Sequence, residues 1–330
     1  LAKSKSDNSD NEEQLFRVLP KQVGQTIAAS LRDWLPGQSW TQLRKLLEAR
    51  RIMVSGNLCT DVGRRLKLQD VVKVLPHPMA APPREADVKV VYLDSQVIVV
   101  DKPPGVTSTR HSEERNWSPR RRQVQPTLDE MLPAVIAKRE NRRGKGKPVP
   151  VRAVHRLDRE TSGLMVFART HTAEIHLAQQ FRQHTTKRRY LAIAFGDVRE
   201  QTIESRFVRD RGDGRRGSTS LPNAGKKSKT HFKPIEKFGG YTLVECRPET
   251  GRTHQIRIHL SEAGHPLCGD KVYLQPLFRP ALKDDSGAPR LALCAVELEF
   301  QHPVTGKRLH FEIPLAKDLA EFVQRIKTKS

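Results

Sequence analysis

The chain is poor in aromatic side chains. Phe, Tyr and Trp make up 5% of its 330 residues, so broad aromatic stacking surfaces are not expected. Cysteine is scarce as well: Cys59, Cys246, Cys268 and Cys294 form no CxxC pair and no zinc-type spacing. No apolar run approaches the roughly 20 residues of a membrane span, and no signal-peptide pattern is present. There is no glycine-rich loop of the nucleotide-binding kind. A metal-dependent nuclease would need several convergent carboxylates, and none cluster. These absences lead us to expect a soluble protein of the reducing cytoplasm, without a cofactor or a metal, acting as a monomer with no obligatory protein partner.

Acidic residues are also in deficit. Lys and Arg number 59 against 37 Asp and Glu, a formal charge of +22. Such a charge repels itself in a compact state, and a polyanionic partner neutralises it. Structured RNA or another nucleic acid is the expected partner; the bland alternative is a basic protein from a basic proteome. Hydrophobic residues, at 36%, suffice for an aliphatic core, and the length suits a large domain with a small companion.

Residues 1–14 are polar and without periodicity, and read as a disordered tail. Residues 15–75 read as a small domain. Within it Ser39 and Gln42 make a capping-box pattern, so a helix should start at Trp40 with Trp40, Leu43, Leu46 and Leu47 as its buried stripe. Arg44, Lys45, Arg50 and Arg51 fall mostly outside that stripe and are candidate phosphate contacts; solvated arginines on a packing domain are the even alternative. A short strand, Ile52 to Val54, enters a turn at Ser55-Gly56-Asn57. Residues 76–86, with four prolines, read as a linker, and residues 87–330 as the main domain.

The main domain carries two basic insertions. Residues 110–152 hold twelve Lys or Arg and five Asp or Glu, including Arg120, Arg121 and Arg122 and the run from Arg142 to Lys147. Those runs read as mobile loops, and a helix capped by Thr127 and Glu130 lies between them. Residues 209–229 form a second Gly- and Lys-rich loop. Strands are expected at Val88–Leu93, Val97–Val100, Leu164–Phe167, Tyr190–Phe195, Tyr241–Cys246, Leu291–Phe300 and Leu309–Ile313. A closing helix carries Leu315, Leu319, Phe322 and Ile326. Gln255 to Leu260 alternates polar and apolar residues and reads as a strand, with Arg257 on its polar face. The order is strand-rich without regular βαβ repeats, which points to a mixed α/β (α+β) domain around a mainly antiparallel sheet.

Two clusters can carry chemistry. His155-Arg156-Leu157-Asp158 precedes a polar turn before the strand at Leu164. A carboxylate there can be nucleophile, base or charge stabiliser, or equally a turn cap. In the second cluster, Gly251 to His259, Arg257 needs a partner if buried, and Asp158 is an economical one. His254 and His259 fall on opposite faces of the expected strand, which disfavours a shared metal site.

These blocks resemble the pseudouridine synthases of the large bacterial family that act on ribosomal or transfer RNA. The resemblance is carried by Asp101-Lys102-Pro103-Pro104-Gly105, His155-Arg156-Leu157-Asp158, Thr161-Ser162-Gly163-Leu164, Arg189-Tyr190, Gly251 to Arg257 and His302-Pro303-Val304-Thr305-Gly306. Residues 16–74 are similar to the alpha-L RNA-binding domain that often precedes that catalytic domain, though Ser55-Gly56-Asn57 stands where an asparagine-glycine turn is usual. The resemblance implies a long bisected antiparallel sheet and conversion of uridine to pseudouridine without a cofactor. It implies Asp158 as the essential carboxylate, Tyr190 as the side chain that packs on the target base, Arg257 as partner of Asp158, and Arg156 as an aid in displacing the nucleotide. Leu293-Cys294-Ala295 departs from the family's leucine-histidine-alanine.

Overall fold

The computed structural model describes residues 14–328, apart from 56, 77, 80–82, 112, 113, 115, 118–121, 123, 124, 142–149, 276–279 and 281. Arg120, Arg121, Gly56, nearly all of the expected tail and the run from Arg142 to Lys147 lie outside the described residues. Two compact units divide the chain: residues 1–81 with 206–226, and residues 82–205 with 227–330.

In the first unit β1 (Gln14–Arg17), β2 (Ile52–Val54), β3 (Asn57–Leu58) and β4 (Val71–Val74) form an antiparallel sheet in the order β1-β4-β2-β3. Helices α1 (Ile27–Trp34) and α2 (Trp40–Glu48) supply Ile27, Leu31, Leu43 and Leu47 to a core that includes Ile52 and Val72. Both halves of the α2 capping box form: Gln42 N–H donates to the Ser39 hydroxyl (3.3 Å) and Ser39 N–H to the Gln42 side chain (2.7 Å). Trp40 is not part of the buried stripe. It is 50% exposed, and the Arg32 guanidinium lies over its ring at 4.9 Å. At the first helical position its side chain is directed past the core, which the next turn reaches through Leu43 and Leu47.

The stretch 206–226 packs with this unit. Arg17 donates to the Gly212 carbonyl (3.0 Å), and Asp210 accepts the N–H groups of Gly212 and Gly214. Gly214 leaves no room for a side chain: a Cβ there would lie 1.6 Å from a Val71 methyl. The Arg211 side chain is fully buried and paired with Asp213 at 2.8 Å. Lys226 to Lys229, expected as loop, instead begin a strand.

The second unit is built on one mixed sheet. Its strands are β5 (Lys89–Leu93), β6 (Val97–Lys102), β7 (Arg152–Ala153), β8 (Ser162–Ala168), β9 (Lys187–Phe195), β10 (Gln201–Val208), β12 (Lys226–Phe238), β13 (Tyr241–Pro248), β14 (Leu293–Gln301) and β15 (Arg308–Glu312); β11 (Gly217–Ser218) pairs with the end of β10. The order is β10-β12-β13-β9-β14-β8-β6-β5, with β15 on β14 and β7 on β8. Among the described residues the registered strand pairs of this sheet are antiparallel except for one. The exception joins two halves of the sheet: β14 meets β8 in parallel over two residues, Cys294 opposite Ser162 and Ala295 opposite Gly163. Gly163, at φ +113°, permits that junction, since a Cβ would lie 2.1 Å from the Ala295 carbonyl oxygen.

Alternation along the strands buries both faces. Ile98, Val100, Met165, Phe167, Ala192 and Val244 pack with α3 (Leu128–Arg139) and α5 (Gln255–Glu262). On the opposite face α4 (His171–Arg182) covers Val97, Val99 and Val166, while α6 (Lys317–Lys327) seats Leu319, Phe322 and Ile326 against Ile193 and Val296. Each such Val, Leu, Ile, Met or Phe side chain contributes about 1.5–3 kcal/mol by leaving water. His302 explains its own block: its Nδ1 accepts the Thr305 N–H (3.0 Å), so its Nε2 donates to Asp94 (2.9 Å), which caps the β5–β6 turn. Among the described residues no helix is long and apolar enough to cross a membrane.

Residues 255–260 are a correction: they are helical, not extended. Seven consecutive residues, Gln255 to Ser261, are buried, so this helix has no polar face to give a 3.6-residue rhythm. Each polar side chain finds its own partner. Gln255 bonds Lys229 O and Thr230, His259 bonds Thr230 and Ser205, and Ser261 bonds Tyr273 O.

Candidate active site

Asp158 sits in the turn between β7 and β8, beside the junction of the two half-sheets. That turn is tied to the loop after β6. The Lys102 ammonium is wholly buried and donates to the carbonyls of Pro103, Val106 and Arg159 at 2.9–3.0 Å. Burial pushes its pKa down to about 7, while three carbonyl acceptors favour the charged form. Gly105 N–H donates to Arg159 O, and Arg159 Nε to Gly105 O, both at 2.8 Å. The Ser108 hydroxyl bonds both the N–H and the carbonyl of Leu157. The two sequence blocks around Lys102 and Asp158 are thus one structure. His155 is part of the frame: it stacks on Phe181 (4.4 Å), accepts the Val166 N–H (3.0 Å), and burial pushes its pKa down to about 3.

The Asp158 side chain is 15% exposed. Arg257 Nη1 lies 3.4 Å from one oxygen and His254 Nε2 3.9 Å from the other. Burial alone would raise the carboxyl pKa; His254, Arg257 and Arg156 outweigh it, and the net shift is downward. Asp158 is ionised at neutral pH. Its partnership with Arg257 is real but secondary. The close partner of Arg257 is Asp270, bonded to Nε at 2.7 Å and Nη2 at 2.8 Å. Asp270 is in turn held ionised against burial by Arg257 and by the N–H groups of Val272 and Tyr273. The sequence reading missed Asp270. Its only local signal is that it follows Gly269, a left-handed glycine (φ +74°) in a Gly- and Pro-punctuated stretch.

A cavity of about 70 Å³ opens here, lined by Arg156, Asp158, Tyr190, Thr253, His254 and Arg257 among others. Arg156 is exposed at its rim. Tyr190, on β9, is 7% exposed, and burial, with Asp158 nearby, raises its phenol pKa, so it stays protonated. Asp158, Arg156, Tyr190 and Arg257 are thus brought together. Arg44, Lys45, Arg50 and Arg51 belong to the other unit: Arg44 and Lys45 are exposed on α2, while Arg51 is half-buried and bonds Leu75 O at 2.7 Å. Arg122 is exposed and 4.0 Å from Glu130. His254 and His259 do not converge: His254 turns to Asp158, and His259 turns to Thr230 and Ser205.

The fold is that of pseudouridylate synthases. A solved human structure, RNA Pseudouridylate Synthase Domain Containing 4, superposes with a TM-score of 0.56 at 21% identity, over 72% of this chain and 92% of that one. The family model for RNA pseudouridylate synthase matches residues 96–262. The ribosomal large subunit pseudouridine synthase D of Nitrosomonas europaea is 31% identical over 98% of this chain and 91% of its own length. The protein of the same name from Neisseria meningitidis serogroup A is 33% identical over 94% of this chain and 81% of its own. The chain belongs to the RNA pseudouridylate synthase family. It is an isomerase that converts uridine in RNA to pseudouridine, and RNA is its partner.

Proposed function

We propose that this isomerase acts on large-subunit ribosomal RNA and that Asp158 is its catalytic carboxylate. The observation that carries this reading is an ionised carboxylate at a cavity, faced on both oxygens by cationic or N–H groups. Uridine becomes pseudouridine when the base leaves its sugar, turns and rejoins through carbon 5. An ionised Asp158 oxygen opens that sequence, as nucleophile at a carbon centre or as base toward the sugar 2′ proton. Tyr190, a neutral phenol in the cavity wall, packs against the base. Arg257 stabilises the carboxylate, and Arg156 at the rim takes the place of the displaced nucleotide. The relatives, ribosomal large subunit pseudouridine synthases by name, favour ribosomal RNA over transfer RNA.

In this reading residues 15–75 grip RNA through Arg44, Lys45, Arg50 and Arg51, residues 76–86 link, and residues 87–330 catalyse, with Arg120, Arg121 and Arg122 adding phosphate contacts. The enzyme works as a monomer in the cytoplasm. The test is incubation of the full chain with metal-stripped RNA carrying tritium at carbon 5 of uridine. Large-subunit ribosomal transcripts should release tritium without strand cleavage, and transfer RNA should not. Release from transfer RNA alone would overturn the substrate assignment. Asp158→Asn protein that still releases tritium would overturn the site assignment.

A further inference from the structure

His254 immediately precedes α5, and Arg257 and Ser261, three and seven residues further on, lie on it. All three are held by a single short turn, Asp270 to Tyr273, beyond the residues 96–262 that the family model matches. Asp270 grips the Arg257 guanidinium with both oxygens, at 2.7 and 2.8 Å. The Tyr273 carbonyl accepts the Ser261 hydroxyl at 2.6 Å. The Tyr273 phenol lies 2.9 Å from His254 Nδ1, and its ring lies 5.1 Å from the Arg257 guanidinium carbon. The turn is rigid in itself: one Asp270 oxygen accepts the N–H groups of Val272 (2.8 Å) and Tyr273 (3.1 Å). Both Asp270 and Tyr273 are buried, at 1% exposure each.

The two side chains that this turn holds, Arg257 and His254, are the two that face the oxygens of Asp158. His254 sits in the left-handed conformation at φ +60°, which a non-glycine residue adopts at a cost and keeps only where its surroundings impose it. Asp158 faces Nε2 of the imidazole at 3.9 Å. The Tyr273 hydroxyl faces the other ring nitrogen, Nδ1, at 2.9 Å. The His254 ring therefore lies between the Tyr273 hydroxyl and the Asp158 carboxylate.

We propose that the Asp270–Tyr273 turn is a positioning element for pseudouridine formation: Asp270 aims Arg257 and Tyr273 aims His254, so that both oxygens of Asp158 are held for the chemical step. The proposal rests on the reading of Asp158 as the catalytic carboxylate. Neither Asp270 nor Tyr273 needs to touch RNA, so the turn should act on kcat and leave KM alone.

The test uses the full chain and tritium release from ribosomal RNA, with Tyr273→Phe as the first variant. Phenylalanine keeps the ring against Arg257 and removes only the hydroxyl. kcat should fall at least tenfold, with KM within twofold of the parent and an unchanged melting temperature. His254→Asn is the second variant, usable if Tyr273→Phe does not fold, because asparagine tolerates the left-handed conformation but is too short to face Asp158. It should show the same split between kcat and KM. The double variant should be no slower than the slower single one, since both act through one chain of contacts. Parent-like kcat in Tyr273→Phe, or multiplicative effects in the double variant, overturns the positioning role. A fall in kcat accompanied by an equal rise in KM or by early melting also overturns it, as general structural damage. Asp158→Asn is run beside them. If it is inactive while Tyr273→Phe is normal, the turn proposal alone fails. If it stays active, the reading of Asp158 fails.

Discussion

Replacing Asp158 with asparagine removes one charge at nearly constant volume, and its effect on stability depends on which carboxylate holds Arg257. Breaking a buried pair costs about 3–5 kcal/mol when the surviving charge is stranded. Arg257 is not stranded in Asp158→Asn, because Asp270 keeps its bonds to Nε and Nη2 at 2.7 and 2.8 Å, and only the longer bond from Nη1, at 3.4 Å, is weakened. The expected loss is therefore about 1 kcal/mol, the size of a single modest hydrogen bond. In melting temperature that is a shift of roughly 2–4 °C. Turnover should behave quite differently. Loss of an essential group in an enzyme site typically costs on the order of 10⁴-fold or more, equivalent to about 5.5 kcal/mol of barrier. RNA affinity should be kept or slightly improved, since the carboxylate repels phosphate. Tritium release, thermal melting and RNA binding on one preparation separate these terms. Folded, RNA-binding Asp158→Asn with turnover within tenfold of the parent would falsify the catalytic role. A melting shift beyond about 10 °C would refute the assignment of Asp270 as the main partner of Arg257.

Asp158 and Asp270 both have pKa values held below the ordinary value near 4. Their contribution to stability should be complete above about pH 4 and vanish only as pH falls through the lowered values; urea midpoints that already drop between pH 7 and 5, and stop dropping in Asp158→Asn, would contradict this. For the same reason kcat should show no acid limb above about pH 5 that Asp158→Glu displaces. Gly163→Ala forces a Cβ to 2.1 Å from the Ala295 oxygen and should destabilise by more than about 3 kcal/mol, whereas Gly240→Ala, with nothing within 4 Å, should cost only about 1–2 kcal/mol for its left-handed backbone; equal melting shifts would sink the account of the junction. Neutralising Arg44 and Lys45 should lower the slope of log affinity against log salt by about one each, as should each of Arg120, Arg121 and Arg122 that meets phosphate; an unchanged slope removes that residue from the interface.

Much of the fold was legible because its cause is local. The Ser39–Gln42 box spans three residues, and its two hydrogen bonds need nothing from the rest of the chain. The runs Val97–Val100 and Leu164–Phe167 declare themselves as strands by being continuously apolar, as strands buried on both faces must, and the structure extends them to Val97–Lys102 and Ser162–Ala168. Asp158 was legible through its block, and the blocks around Lys102 and Asp158 belong together for a reason the structure supplies: one buried ammonium binds both loops.

By itself, then, the sequence determined the class of the sheet and the basic character suited to RNA, since residue type, spacing and charge carry those, and the resemblance of its blocks singled out Asp158 as the candidate carboxylate. The tertiary structure decided the rest. Gln255–Glu262 is a helix because every side chain on its buried surface, polar ones included, meets a partner from elsewhere in the chain, and such partners leave no periodic trace. Trp40 lies outside and Arg211 inside, against their type, because burial follows from which surfaces meet. Arg257 could be seen to need a counter-charge. That the near one is Asp270, thirteen residues along and across a turn, depends on a distance of 2.7 Å that exists only once the chain has folded.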